Sequence, residues 1–433
     1  MDGLHKTKDD VVERVIAQVL KAETFGDVYE LTSTAHTQLK NLGCFSVVNA
    51  IIDTSKGNDS TDLEVTFSVE EQAFLHIHAT TETGDNEALG VVRSSLPNLT
   101  GRGDAIDHLI KIGSGGTQHF SLNFSLPFRS DLLWKLNSGL CDSSLIACLY
   151  RNCHKLPSSK LQGTFQGLSL SAKLSPKPWL TQSVTWDCAW RYLTPLQYPG
   201  FTARSMSGHS LKSSLINAFV VNTLDDHPLP SEGVNLSFTQ ELAGLGIGNV
   251  AFFKTVANGG CFKQLGNNFI VGGTFGGGSL SHFLPSNDIC NPKNGLPCDN
   301  FVLGGPLLVR GFHRFRLGPI SDGDHLGCNA FWRLSLHGMT KKLPFIRGES
   351  WPTEMRAHVF AEMCQAGNTT SGSYMKWLMD SSVKTVRSTV GVGLVARLGD
   401  FGRAELNYCI PLKYTSHDAI NRGLQFGIGV VFT

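Results

Sequence analysis

Residues 423–433 read GLQFGIGVVFT, and the order of side chains in that closing stretch decides the fold. Leu424, Phe426, Ile428, Val430 and Phe432 fall on one side of an extended chain, with Gln425, Gly427, Gly429 and Thr433 on the other, because successive strand residues point to opposite faces. The same period of two recurs upstream. Val184, Trp186, Trp190 and Tyr192 alternate with Thr185, Asp187 and Arg191, and Val234, Leu236 and Phe238 with Asn235, Ser237 and Thr239. Ala330, Trp332, Leu334 and Leu336 oppose Asn329, Arg333, Ser335 and His337; Val390, Val392, Leu394 and Leu398 oppose Thr389, Gly391, Gly393 and Arg397. Leu406, Tyr408 and Ile410 alternate likewise with Glu405, Asn407 and Cys409. A soluble β-sandwich also alternates, so parity alone does not choose between lipid and a protein core. Number does: roughly a dozen and a half strands of ~10 residues, each with a polar face, suit a large barrel with a wet lumen.

Composition points the same way. In 433 residues only 17% are charged and 46 are glycine, against a usual ~25% charged and ~7% glycine. That is too few charges for an ordinary soluble surface. No run of ~18 apolar residues occurs, which excludes a spanning helix, and the mean hydropathy of −0.04 is what alternating faces leave in any averaging window. A net charge of +1 gives no footprint for nucleic acid or a polybasic membrane patch.

The eleven cysteines include no C-x-x-C pair. Cys290 and Cys298 flank a Pro/Asn/Gly loop and are candidates either for a disulfide or for free thiols in a reducing compartment. The opening MDGLHKTKDDVVERV has no apolar core of a secretory signal, and its acids argue against a cleaved mitochondrial presequence. A bacterial outer-membrane barrel needs such a signal, so an organelle's outer membrane is the expected home.

Residues 9 to 42 read as two helices. Val11, Val12, Val15, Ile16, Val19 and Leu20 recur at helical spacing, as do Val28, Leu31, Ala35, Leu39 and Leu42 after a break at Phe25-Gly26-Asp27, and Gly43 is placed as a stop. Two strands follow, Phe45 to Asp53 and Asp62 to Glu70, joined by the polar SKGNDST. This helix, helix, strand, strand module over residues 1–71 resembles the polypeptide-transport-associated (POTRA) domain of the outer-membrane insertase superfamily. That domain opens with a further strand, for which no room is found before Lys8; the module reads as truncated or as borrowing an edge. Residues 72–433 form the expected barrel.

Within the barrel half, LGGPLLVRGF at 303–312 places a guanidinium, always charged and carrying five donors in a fixed fork, between apolar residues and a glycine. By itself this reads as a surface turn with a solvated arginine. Its company changes the reading. With VRGF stand SGHSLKSSL at 207–215, QELAG at 240–244, GPISDGDHLG at 318–327 and AELNYCIP at 404–411, in an order that resembles the core subunits of the mitochondrial sorting and assembly machinery, animal-type members above all. The likeness runs from about Gly3 to the C-terminus.

The resemblance implies a sixteen-stranded antiparallel transmembrane barrel with a single POTRA domain in the intermembrane space, inserting precursor β-barrel proteins into the mitochondrial outer membrane. It implies partner subunits on the cytosolic side, and lipid around the barrel. It also implies that a loop of about residues 280–326 folds into the lumen, carrying Val309, Arg310, Gly311 as its bend and Phe312 as its wedge. Acidic partners of bacterial relatives map here onto His337 and Gln365; Glu405, inward by parity, is the candidate counter-ion. Gln425, Gly427, Val430 and Phe432 match the polar-x-Gly-x-x-apolar-x-apolar spacing of a mitochondrial β-signal, a pattern that also befits any closing strand.

A gate is expected between this last strand and a first strand of roughly Gln72 to Ala79, with Gln72, Phe74, His76 and His78 on one face. An unpaired edge there recruits a client strand by backbone pairing. Enzyme signals are missing from the sequence. There is no G-x-x-x-x-G-K-[ST], G-x-S-x-G or H-E-x-x-H, and His76 with His78 lacks a third ligand, so no catalytic residue, metal or cofactor is expected. A protein-translocating channel or passive pore of an organelle outer membrane is the alternative; the pore leaves the N-terminal module and the VRGF loop without a task.

Overall fold

The computed structural model describes residues 1–54, 63–84, 87–127, 142–266, 268–283, 296–341, 355–369, 374–379, 385–399 and 402–429. Cys290, Val430 and Phe432, together with the SKGNDST loop, lie outside them.

The N-terminal module consists of α1 (Asp9–Ile16), a short 3-10 turn, α2 (Phe25–Asn41), β1 (Phe45–Thr54) and β2 (Leu63–Glu71). Thr24 and Asp27 start α2 as a reciprocal capping box. Val12, Val15, Val19, Ala35 and Leu39 of the helical segments are buried against Phe45, Val48, Phe67 and Val69 of the two antiparallel strands. No strand precedes α1; the segment before it touches the sheet through one isolated bridge. Asp2 forms a parallel bridge to Ser68, its N–H donating to the Phe67 carbonyl at 2.9 Å and its carbonyl accepting from Val69 N–H at 3.0 Å. The Glu71 carboxylate fastens the segment behind it, accepting from the backbone N–H groups of His5, Lys6 and Thr7 at 3.2, 3.0 and 2.7 Å. Burial works to raise the pKa of that carboxyl, but the hydrogen bonds from Thr7, Lys6 and His5 outweigh it and hold it at about 2.

Sixteen further strands form one sheet in which each pairs antiparallel with its sequence neighbour. The first eight are β3 (His76–Gly84), β4 (Glu87–Pro97), β5 (Ala105–Gly113), β6 (Gln118–Pro127), β7 (Asp142–Leu156), β8 (Leu161–Lys177), β9 (Leu180–Pro195) and β10 (Gly208–Asn222). The rest are β11 (Gly233–Ala243), β12 (Phe252–Leu265), β13 (Phe269–His282), β14 (Ala330–Thr340), β15 (Met355–Gly367), β16 (Arg387–Leu398), β17 (Gly402–Lys413) and β18 (Gly423–Gly429). Their order, β3 through β18 without a crossover, is that of an up-and-down barrel.

The two faces of this wall differ sharply. Ile77, Val92, Phe120, Leu149, Trp190, Val271, Leu336, Val359, Val392 and Leu424 stand exposed on the outside, an apolar girdle far beyond the patch a soluble protein leaves bare. Arg191, Arg333, His337, Glu362, Arg403, Glu405 and Asn407 are buried within. Among the described residues no helix is long and apolar enough to cross a membrane; the strands supply the crossing.

The barrel begins later than the alternation suggests. Gln72 donates its backbone N–H to the Cys44 carbonyl at 2.8 Å and its side-chain amide to the Phe45 carbonyl at 3.4 Å, so it belongs to the module. Phe74 lies in the connecting bend beside Lys6. The first barrel strand starts at His76. The module is fixed to the β4–β5 turn, where Asn98 donates to the Thr7 hydroxyl at 2.8 Å and Lys8 N–H to the Gly101 carbonyl at 2.9 Å.

Candidate functional site

Since β3 leads away from the module, every connection after an odd-numbered barrel strand lies at the far rim. The β13–β14 and β17–β18 connections therefore share that rim. Residues 296–329 of the former turn inward instead of extending into solvent, because they carry their own core. Leu296, Phe301, Leu303, Val309, Phe312, Leu317 and Leu326 are buried in one cluster with Phe252, Leu280, Phe331 and Ala366 of the wall. Bridges from Phe301 to Cys328, Leu303 to Leu317 and Gly305 to Val309 fold the loop into a tapering hairpin, with Pro306 to Leu308 at its tip. Phe312 pairs with Ile420, Asn421 N–H donates to the Gly311 carbonyl at 2.9 Å, and His313 N–H to the Ala419 carbonyl at 2.9 Å. Asp418 secures the same junction, accepting from Arg387 Nε and Nη2 at 3.0 Å each and from Gly318 N–H at 3.2 Å.

At the turn sits Arg310, its side chain 0% exposed. Its Nη2 and Nε donate to Glu405 Oε2 at 2.7 and 3.1 Å, and its Nη1 to Glu362 Oε1. Its own backbone N–H donates to Glu362 Oε2 at 2.7 Å. Glu405 in turn accepts from Arg403 Nε at 2.7 Å and Asn407 Nδ2 at 2.9 Å, and the guanidinium lies over the Phe360 ring, 5.1 Å from its centroid. Two carboxylates on β15 and β17 thus clamp one loop cation, which is how a buried charge is made tolerable. Gly311 has φ +89, and an added Cβ would lie 2.7 Å from Thr389 Cγ2, so both the backbone and the space demand glycine.

Of the expected partners, Glu405 meets Arg310 directly. His337 does not; it stacks on His358 at a centroid distance of 5.3 Å, its Nδ1 3.0 Å from His358 Nε2. Gln365 stands on the outer face, where its Oε1 accepts from Trp332 Nε1 at 2.9 Å in the registered pair Trp332–Gln365. The missed partner is Glu362. The alternation of Arg356, His358, Phe360 and Glu362, all buried, with exposed Val359 and Met363 carries that signal.

The loop packs against the last strand from inside. Gln425 Oε1 accepts the Gly311 N–H at 3.0 Å, and Leu307 with Pro306 covers Gly427 so closely that a Cβ there would stand 3.1 Å from both side chains. On the opposite side of the seam, Ile77 faces outward, 62% exposed, so His76 and His78 are on the lumen face. Among the described residues no ladder joins β18 to β3, although their Cα atoms come within 8 Å. A cavity of about 1150 Å³ reaches this seam, touching Thr81 on one side and Ile428 and Gly429 on the other, and runs back to Asp187, Arg191, Lys212 and Asp299.

Comparison with known proteins places this architecture. Residues 98–432 match the Omp85 superfamily domain. Across all of this chain and 89% of the relative, 36% of residues are identical to the human sorting and assembly machinery component 50 homolog. The SAM50-like protein of Drosophila melanogaster is 30% identical over the whole chain and 93% of its own length. The fold is similar to that of BamA from Haemophilus ducreyi lacking POTRA domains 1–3, with a TM-score of 0.74 at 16% identity, covering 99% of this chain and 83% of that one.

Proposed function

The chain belongs to the Omp85 superfamily, among the sorting and assembly machinery component 50 proteins, and from that premise we infer that it is the β-barrel insertase of the mitochondrial outer membrane, working through a lateral gate between β3 and β18. The observation that carries the gate is the seam itself. Every other pair of adjacent barrel strands is joined by a registered ladder, whereas β3 and β18 approach without one among the described residues. In lipid an unpaired amide costs several kcal/mol, so an edge left open there captures any strand that offers its own N–H and C=O groups in register.

The client supplies the driving force. Its C-terminal strand pairs with β3 and is followed by the rest of its sheet, so that burial of apolar side chains and satisfaction of amides proceed together without nucleotide, metal or catalytic side chain. The low wall beside the seam helps. At ~3.3 Å per residue, β3 and β5 with nine residues each are about 30 Å long, and a tilt near 40° leaves about 23 Å to cross a ~30 Å hydrocarbon layer. β8, with 17 residues, has no such shortfall. A span that short favours a locally thinner bilayer next to β3.

An even strand number returns the chain to the side it started from, so the exit of the last strand lies on the same side as the N-terminal module, the intermembrane space, and the far rim, capped by the in-folded loop, faces the cytosol and the partner subunits. The test is site-specific crosslinking in isolated mitochondria, from cysteines along His76 to Thr81 to the β-signal of an arrested client. Register-dependent adducts that vanish when the client's signal is altered support insertion at the seam. A client that never meets β3 while unfolded chains pass through the lumen would make the protein a translocating channel.

A further inference from the structure

Connections after even-numbered barrel strands lie at the module's rim, as the β4–β5 turn shows, and one of them does not stay at that rim. Residues 223–232 join β10 to β11. A turn of that kind ordinarily runs over the surface, yet Pro228, Leu229, Pro230 and Ser231 are all buried, Leu229 completely. They are buried because the turn crosses the mouth of the barrel to the opposite wall. Arg356, at the start of β15, donates from Nη1 to the Pro230 carbonyl and from Nη2 to the Ser231 hydroxyl, each at 3.0 Å. Arg397, near the end of β16, pairs with Asp226. On the way across, Leu224 packs on Phe262, Ile270 and Met339 of β12, β13 and β14. We propose that this turn is a floor to the lumen, latched by Arg356 and Arg397, that shuts out ions and unfolded chains arriving from the module's side.

The floor is needed because the in-folded loop leaves a way past it. The cavity of about 1150 Å³ runs beside the loop, touching Gly115 and Thr117 at the far rim, Asn300 and Val302 of the loop, and Leu398 and Gly402 at the module's rim. Leu398 adjoins Arg397, so the latch stands where that passage reaches the module's side. The turn is built to move as one piece. Asp225 Oδ1 accepts from Ser231 N–H at 2.9 Å and Glu232 N–H at 3.1 Å, and Asp225 N–H donates to the Glu232 carbonyl at 3.1 Å. Pro228 and Pro230 restrict the backbone between these ties. The latch itself is weaker than the clamp on Arg310. Arg397 and Asp226 are 27% and 22% exposed, which screens their attraction, and Arg356 grips a carbonyl and a hydroxyl where Arg310 grips two carboxylates. Loop and floor nevertheless share a support. Glu362, which holds the loop, and Arg356, which holds the floor, lie on the same inward face of β15.

Ion conductance of the full-length protein in planar lipid bilayers provides the test. Arg356→Ala combined with Arg397→Ala is expected to raise the fraction of time spent conducting about tenfold, the effect of losing one charge-assisted hydrogen bond. Protease cleavage within residues 296–329 should stay at the wild-type rate; cleavage that rises with the conductance would assign the opening to the loop and overturn the proposal. Should that variant not assemble, Asp226→Cys with Arg397→Cys, in a protein otherwise cleared of reactive thiols, gives a reversible form. Its oxidised state should be closed and its reduced state should conduct. Equal conductance in the two redox states would show that the turn closes nothing. In isolated mitochondria the same pair asks whether clients need the floor to open. Insertion at equal rates in the oxidised and reduced protein is expected of a floor that only excludes, whereas insertion confined to the reduced protein would mean that clients pass through this mouth and that the turn is no barrier to them.

Discussion

Replacing Arg310 by Ala removes three side-chain hydrogen bonds to buried carboxylates and leaves those carboxylates unequally provided for. Glu405 keeps Arg403 Nε at 2.7 Å and Asn407 Nδ2 at 2.9 Å. Glu362 keeps only the position-310 backbone N–H, at 2.7 Å, among its contacts with the loop. Breaking a buried pair costs ~3–5 kcal/mol, mostly through the charge left behind, and because Glu405 retains other donors the lower end applies, about 3 kcal/mol. The stranded charge should be recoverable. Adding Glu362→Gln to Arg310→Ala is expected to return about 1 kcal/mol or more, a coupling that a pair of independent sites would not show. Arg310→Lys should fall between wild type and Ala, since one ammonium cannot present a fork to two carboxylates. The assay is the temperature at which the detergent-solubilised barrel loses its compact electrophoretic form, alongside the rate of protease cleavage within residues 296–329. An Arg310→Ala protein that melts with the wild type and whose loop is cut no faster would refute the view that this ion cluster holds the loop in the lumen.

Three further outcomes follow from the same geometry. Gly311→Ala combines a left-handed backbone, costing about 1–2 kcal/mol for a side-chain-bearing residue, with a Cβ 2.7 Å from Thr389 Cγ2; adding Thr389→Ala should relieve the contact but not the backbone term, restoring only part of the melting temperature. Gln365→Leu should leave loop cleavage unchanged, since that side chain meets Trp332 on the outer face, and faster loop cleavage would show that it supports Arg310 after all. The Glu71 carboxyl, held at about 2, gives the module stability that is complete above its unfolded value near 4.5 and is lost as pH falls from there toward 2; hydrogen exchange at the amides of residues 5–7 should accelerate over that window in wild type, and Glu71→Gln should make it fast at neutral pH.

The barrel was legible because its cause is local: an alternation such as Val390, Val392, Leu394 against Thr389, Gly391, Gly393 is forced on any strand with lipid on one side and water on the other. Glu405 followed from the same parity. Glu362 obeys the same rule, whereas the family match points to Gln365, three residues on and of opposite parity. The start of β3 was not legible, since Gln72, Phe74, His76 and His78 keep one unbroken parity across the junction; what separates Gln72 is a backbone bond to Cys44, a long-range contact with no local signature. The bridge between Asp2 and Ser68 is illegible for a simpler reason. A single bridged residue, Asp2, is too short to make any pattern.

The central claim is that clients enter the membrane through the seam, and the measurement that tests it most directly is to lock that seam. Cysteine pairs placed between residues 76–81 of β3 and 424–428 of β18, in a protein otherwise cleared of reactive thiols, would be oxidised in isolated mitochondria and client insertion followed before and after reduction. Insertion that stops in the disulfide-locked barrel and returns with reductant is the result expected. A locked barrel that inserts clients as fast as the reduced one would contradict the account.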